Sequence, residues 1–218
     1  VQSGTVESAI ALLHNTDYEV DLKPALTRYH DEESLFPVEV AIDLNYWQRL
    51  WDQIDTLPKQ DQKITRKLIG MMVDKNNLTW AARYRVFHRF SESEIINYTL
   101  PFGYKVDDSV IRAIAADRDP YQLMAEIYPA IAKEGNLDSK NTSKWQLNET
   151  IFTRMIYSTC RNAFSDGSFS IGLPLAYLLV LEFEIQDLTL LFEAKSLEMP
   201  VDQYAPYLIR KLPHLTKN

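Results

Sequence analysis

The sequence of 218 residues contains few of the cysteines, glycines and histidines that form disulfides, tight turns or metal sites. It contains one cysteine, so Cys160 cannot join an internal disulfide framework or a multi-thiolate metal site. A lone cysteine in an apolar helical stretch is typical of a small buried side chain. Six glycines beside abundant Leu, Ile, Ala and Glu argue against a turn-rich β protein. The four histidines are scattered and form no pair at metal-ligand spacing.

Long apolar runs and excess positive charge are also missing. The run from Leu173 to Leu181 is followed by Glu182 and Glu184, and a membrane span needs about 20 mostly apolar residues. We therefore expect no membrane-spanning segment. Lys and Arg number 23 against 30 Asp and Glu, for a net charge of −7, which argues against nucleic acid as a partner. No GK[ST] follows Gly70, so a nucleotide-binding loop is unsupported. We expect no cofactor, no metal and no catalytic residue.

The spacing of apolar residues is helical along most of the chain. Pro37 suits the first turn of a helix whose apolar stripe runs from Val40 to Ile54. Ser91 and Glu94 have the spacing of a capping box. No run alternates for long enough to predict a strand, so the fold class is all-α. The predicted helices span 37 to before 58, about 62 to 90, 91 to 100, 108 to 115 with Asp108 and Ser109 as caps, 120 to about 133, 147 to 164, 174 to about 196, and 201 to 211.

Two stretches of the chain resemble one another. Residues 73–79 resemble residues 183–189, so that Asp74 aligns with Glu184 and Asn77 with Asp187, each 110 positions apart. Upstream, residues 16–18 resemble 119–121. We therefore predict two similar multi-helix bundle repeats, 1–103 and 104–218.

The aligned acids Asp74 and Glu184 each lie on an apolar helical face, where an acid is costly to bury unless it is paired. One interpretation is a proton relay or a metal ligand. The other is a structural polar group that fixes helix packing, and we favour it because structural pairing also perturbs buried acids. Arg83 and Arg85, or Arg154 and Arg161, are available as partners.

These motifs resemble those of one family of rotary-ATPase proteins, the C subunits of V-type and archaeal-type ATPases (d subunits in eukaryotes). Asp74–Leu78, Arg83, Ser91–Ile95 and the turn Pro101–Gly103 resemble its middle repeat, and Tyr177–Pro200 resembles its last repeat. Gln186 and Asp187 depart from it, because the family often has Arg and Asn there. The family has three repeats that form a funnel with approximate threefold symmetry. We find two, and no initiator Met, so we expect a piece that lacks the first repeat.

The resemblance implies a non-catalytic protein of the central stalk, which serves as a socket or spacer on the cytoplasmic face of a membrane. It would couple the rotor axle subunits to the membrane ring that carries protons or sodium ions, without spanning the membrane. The basic cluster of Arg83, Arg85 and Arg89 is either a partner contact or a helix end whose arginine stems cover apolar surface. Two other functions stay open: a general helical repeat adaptor, and an enzyme with a buried carboxylate pair.

Overall fold

The computed structural model describes residues 4–134, 142–165 and 170–211. These residues contain helices and connecting segments and no strand, so the predicted all-α class is confirmed. The chain divides into two compact units, Val1–Thr56 and Leu57–Asn218. The boundary predicted at residue 103 separates two stretches of similar sequence, and it does not coincide with this division into compact units. The two repeats stay a prediction.

The first unit contains α1 (Val6–Ala11), α2 (Glu19–Glu32) and α3 (Phe36–Asp55). Leu22 and Ala25 of α2 pack against Val38 of α3 in a small apolar core. Asn45 ties the two helices together, because its amide donates to the Asp21 carboxylate (2.6 Å) and to the Asp17 carbonyl (3.1 Å). The predicted end of α3 before Pro58 is confirmed.

The second unit is built around the long helix α4 (Lys59–Arg83). This helix packs against four others of the unit, α6, α7, α9 and α10. A helix with neighbours on several sides must bury most of its surface, and α4 accordingly buries residues on all faces of its middle turns. The remaining helices are α5 (Glu92–Asn97), α6 (Asp108–Ala115), α7 (Pro120–Ile127), α8 (Pro129–Glu134), α9 (Thr142–Ser165), α10 (Gly172–Ser196) and α11 (Val201–Tyr204).

Several helix ends differ from the predicted ones. The predicted helix over 62–90 ends at Arg83 and continues as a π-helical turn, Tyr84–His88. The helix predicted over 120–133 is two helices, because Pro129 cannot continue the first and disfavours helical backbone at Tyr128. The cap of α6 is Asp107 rather than Asp108 or Ser109.

Near the chain's end, α11 gives way to a 3-10 turn at Ala205, next to Pro206, so the helix predicted over 201–211 is shorter. The capping box at Ser91 and the burial of Cys160 are confirmed. The polar stretch 135–144 also predicts a loop, and 167–172 a turn between helices. Residues 135–141 and 166–169 lie outside the described residues, while 142–144 belong to α9.

Candidate functional site

The carboxylate of Asp74, which is fully buried on α4, accepts four hydrogen bonds. Its Oδ1 accepts hydrogen bonds from the backbone N–H of Tyr104 (2.8 Å) and Val106 (3.2 Å). Its Oδ2 accepts from the N–H of Lys105 (2.8 Å) and from the hydroxyl of Tyr128. The carboxylate therefore holds a connecting segment and the α7–α8 junction against the middle of α4.

Two opposing effects act on this carboxyl. Burial raises the pKa of Asp74, while the hydrogen bonds from Tyr128 and from the three backbone N–H groups act to lower it. Burial and the adjacent Asp74 carboxylate raise the pKa of Tyr128, which keeps its hydroxyl protonated as a donor. The Asp74 carboxylate has four donors around it, which is the arrangement of a structural anchor.

Small residues allow the connecting segment to approach α4 closely. A methyl group on Gly103 would lie 2.0 Å from Asp74 Oδ1 and 2.8 Å from the Val106 carbonyl oxygen. A methyl group on Gly70 would lie 2.9 Å from the backbone nitrogen of Tyr104. Gly70, Asp74 and Asn77 are four and three residues apart, so they share the helix face that receives the segment.

Asn77 extends the same contact by one turn. Its Oδ1 accepts from the N–H of Leu100 (2.8 Å), and its Nδ2 donates to the carbonyls of Leu100 (2.9 Å) and Phe102 (3.4 Å). A buried side-chain amide both donates and accepts hydrogen bonds, so it can bond both the N–H and the C=O groups of an irregular backbone segment. The segment 100–106 is thus bonded to α4 by two side chains.

Asp187 on α10 makes the corresponding contact near the end of the chain. Its carboxylate accepts from the N–H of Ile209 (2.6 Å) and of Arg210 (2.9 Å). The separation from Asp187 to Arg210 is 23 residues, the same as from Asn77 to Leu100. We propose that Asn77 and Asp187 occupy equivalent positions of two repeats. The Asp187 carboxylate accepts two hydrogen bonds from the backbone, whereas the Asn77 amide both accepts and donates them.

Glu184 differs from Asp74, with which the sequence aligns it. Its side chain is 45% exposed, and it pairs with Arg210 Nη1 at 2.6 Å. The prediction that both acids are embedded in an apolar face is therefore wrong for Glu184. Exposure lets water solvate this carboxylate, so its ion pair contributes little to stability.

Three of the four arginines suggested as partners of these acids bond elsewhere. Arg83 pairs with Glu149 (2.8 Å) and Arg85 with Asp117 (2.6 Å). Arg154 donates to the carbonyls of Pro206 and Leu208. The suggestion that Arg83, Arg85 or Arg154 neutralises Asp74 or Glu184 is wrong.

The basic cluster at the end of α4 is partly occupied within the chain. Because Arg83 and Arg85 already hold carboxylates, a partner would have to compete for them. Arg89 is exposed and has a left-handed backbone (φ 55°) at the end of the π-helical turn. These three residues remain candidate partner contacts.

The roles of Tyr128 and Gly103 in this anchor were not predicted from the sequence. Tyr128 precedes Pro129, and a residue before proline is biased away from helix, so this signal could have placed a helix end there. Gly103 stands in the Pro101–Gly103 turn, but nothing local indicates that the turn lies over Asp74.

Within the described ranges, no cluster of three or more His, Cys, Asp or Glu could hold a metal ion. None of the described helices is both long and apolar enough to traverse a bilayer.

The two aligned acids should differ sharply in their contribution to stability. We expect Asp74→Ala to lower the free energy of unfolding by about 3–5 kcal/mol, because it leaves buried hydrogen-bond donors without an acceptor. Glu184→Ala should cost under about 1 kcal/mol, because its pair is solvated. Urea unfolding followed by circular dichroism measures both values. Equal losses in the two variants would contradict the anchor at Asp74.

The close approach at Gly103 gives a second prediction. Gly103→Ala should lower the free energy of unfolding by about 2–3 kcal/mol, because the added methyl group displaces Asp74 from its donors. Gly4→Ala is the matched control, since a methyl group there meets nothing within 4 Å. A Gly103→Ala variant as stable as the Gly4→Ala control would show that the segment does not rest on α4 as described.

Comparison with known proteins matches this chain to one family. The family model described as ATP synthase (C/AC39) subunit matches residues 1–207. The C subunit of the A-type ATP synthase of Methanothermobacter thermautotrophicus is 22% identical over 197 residues, which cover 88% of this chain and 51% of that protein. The same protein of Methanosphaera stadtmanae is 22% identical over 203 residues, covering 89% and 51%.

A third relative is the C subunit of the A-type ATP synthase of Pyrococcus horikoshii, which is 22% identical over 215 residues, or 97% of this chain and 55% of the relative. The chain thus spans about half the length of the curated relatives it matches. No solved structure is significantly similar to it. The match over residues 1–207 confirms the resemblance seen in the motifs: the chain belongs to the ATP synthase (C/AC39) subunit family.

Proposed function

We propose that this chain acts as a non-catalytic central-stalk subunit of a V-type or A-type ATPase or ATP synthase. In this role it is a socket or spacer between the rotor axle subunits and the membrane ring that carries protons or sodium ions. It lies on the cytoplasmic face of the membrane, peripheral to it. The observation that carries the proposal is the family match over residues 1–207, together with relatives named as A-type ATP synthase subunits.

A coupling element must transmit force without deforming. In the second unit, buried side chains of α4 bond the connecting segment 100–106, and the face of α4 is closed by that segment. Close-packed interiors with satisfied polar groups deform little under load. The anchor therefore supports a mechanical role for Asp74 and Asn77, in which neither residue performs chemistry.

A coupling element also needs a docking face, and α10 carries one. Five apolar side chains stand 40–73% exposed in a row along this helix, at spacings of four, four, three and four residues. They are Tyr177, Leu181, Ile185, Leu188 and Phe192. The row is about 22 Å long at 1.5 Å per residue. We call it the α10 stripe.

The spacing and charge of the α10 stripe favour one kind of occupant. Apolar residues separated by steps of three and four residues lie on one face of a helix, and another α-helix can pack against that face. The exposed acids Glu182 and Glu193 flank the stripe, so a helix with basic residues beside its apolar face is complementary. We propose that a helix of the rotor axle docks here.

Co-purification of the full chain with the axle subunits and with the membrane ring tests this function. We expect wild-type chain to bind the axle subunits. Ile185→Glu combined with Phe192→Glu should weaken that binding at least about tenfold, because it places charge on an apolar seam. Val20→Glu is the control, since Val20 is 77% exposed on α2, outside the stripe.

The outcomes separate the alternatives. A double variant that binds like wild type would contradict docking at the α10 stripe. A wild-type chain that binds neither axle nor ring would overturn the proposed function. Equal binding of unrelated amphipathic helices, without preference for the axle, would favour the helical adaptor instead.

A further inference from the structure

A cleft of about 420 Å³ opens in the second unit, away from the Asp74 anchor. Its walls come from α4, α9, α10 and the segment that includes α11 and the following 3-10 turn. Its volume lies within the range of about 300–1,000 Å³ that is common for ligand sites. The cleft is therefore large enough for a small molecule or a short end of a polypeptide.

One of the charged groups that line the cleft is less compensated than the others. Glu149 is held by Arg83 at 2.8 Å, and Asp187 accepts two backbone N–H groups. Lys75 is half-buried, and no carboxylate of the described residues lies within 4 Å of its ammonium nitrogen. Burial lowers the pKa of Lys75, while the more distant Glu149 and Glu182 act to raise it.

An ammonium group that has lost water without gaining a contact partner favours the entry of an anion. The lining limits the charge of that anion. Glu149 and Asp187 share the cleft with Lys75, so a doubly charged phosphate would meet two carboxylates and a single cation. A single carboxylate matches the one available cation, and charge-assisted hydrogen bonds of this kind are among the stronger ones.

The remaining lining indicates what the carboxylate is attached to. Tyr204, Tyr207, Leu190 and Met199 also line the cleft. Aromatic and aliphatic walls favour an apolar or aromatic body beside the charged end. We propose that this cleft binds a carboxylate carried on an apolar or aromatic body, with the Lys75 ammonium as its charge partner.

This chemistry has two sources, a small carboxylic acid or the carboxyl terminus of a partner polypeptide. Calorimetric titration of the full chain with 3-phenylpropanoate represents the first source. Titration with the peptide acetyl-Ala-Ala-Phe bearing a free carboxylate represents the second. The same peptide ending in a carboxamide is the matched probe without charge. Binding of either carboxylate supports the site, and their relative affinities identify the source.

The variants test whether Lys75 is the charge partner. We expect Lys75→Met to weaken carboxylate binding at least about tenfold. Lys63→Met should leave binding unchanged, because Lys63 is an exposed lysine on the same helix. We also expect the carboxamide peptide to bind at least about tenfold more weakly than the free acid.

Four results would overturn the proposal. They are no binding of either carboxylate at 10 mM in wild-type chain, equal binding of acid and amide, Lys75→Met binding like wild type, or inorganic phosphate binding as tightly as the carboxylates. None of them bears on docking at the α10 stripe, so failure here leaves the proposed function to its own test.

Discussion

The second unit depends on the mutual satisfaction of one buried carboxylate and the backbone of one irregular segment. Residues 104–106 belong to no helix or sheet. Apart from a bond from the Tyr104 N–H to the Gly70 carbonyl (3.3 Å), their N–H groups are bonded by Asp74, which has no exposure to water. Either group alone would lose several kcal/mol of hydrogen bonding on burial, about 1–3 for each unsatisfied partner. Together they satisfy each other, and the Tyr128 hydroxyl completes the set. The path of the chain after α5 is thereby fixed to α4.

Two other polar side chains make similar contacts with fewer hydrogen bonds than Asp74. Asn77 and Asp187 bond backbone groups 22 to 25 residues further along the chain. We propose that this recurrence reflects a duplicated unit in which a polar side chain on a long helix receives the returning chain. Glu184 has not kept the role of its counterpart: it is half exposed and pairs with Arg210. The proposed duplication is therefore supported by the Asn77 and Asp187 contacts more directly than by the two aligned acids.

What the sequence predicted well was local. The stripe of α3, the proline-limited ends and the Ser91 capping box depend on residues within a few positions of each other, and the structure contains them. The partners of Asp74 could not be predicted, because three of its donors are backbone N–H groups that any residue provides, about 30 positions away. The choice of Arg83 and Arg85 as partners followed from charge alone and was wrong, because these arginines bond Glu149 and Asp117. The break at Tyr128 was signalled by Pro129, but an apolar run on both sides obscured it.

Amide hydrogen exchange tests the central claim most directly, because it reports each backbone N–H separately. We predict that the amides of Tyr104, Lys105 and Val106 exchange as slowly as core amides of α4, since they open only when Asp74 leaves its buried position. Rapid exchange at these three amides, on the timescale of an exposed loop and with α4 still protected, would contradict it.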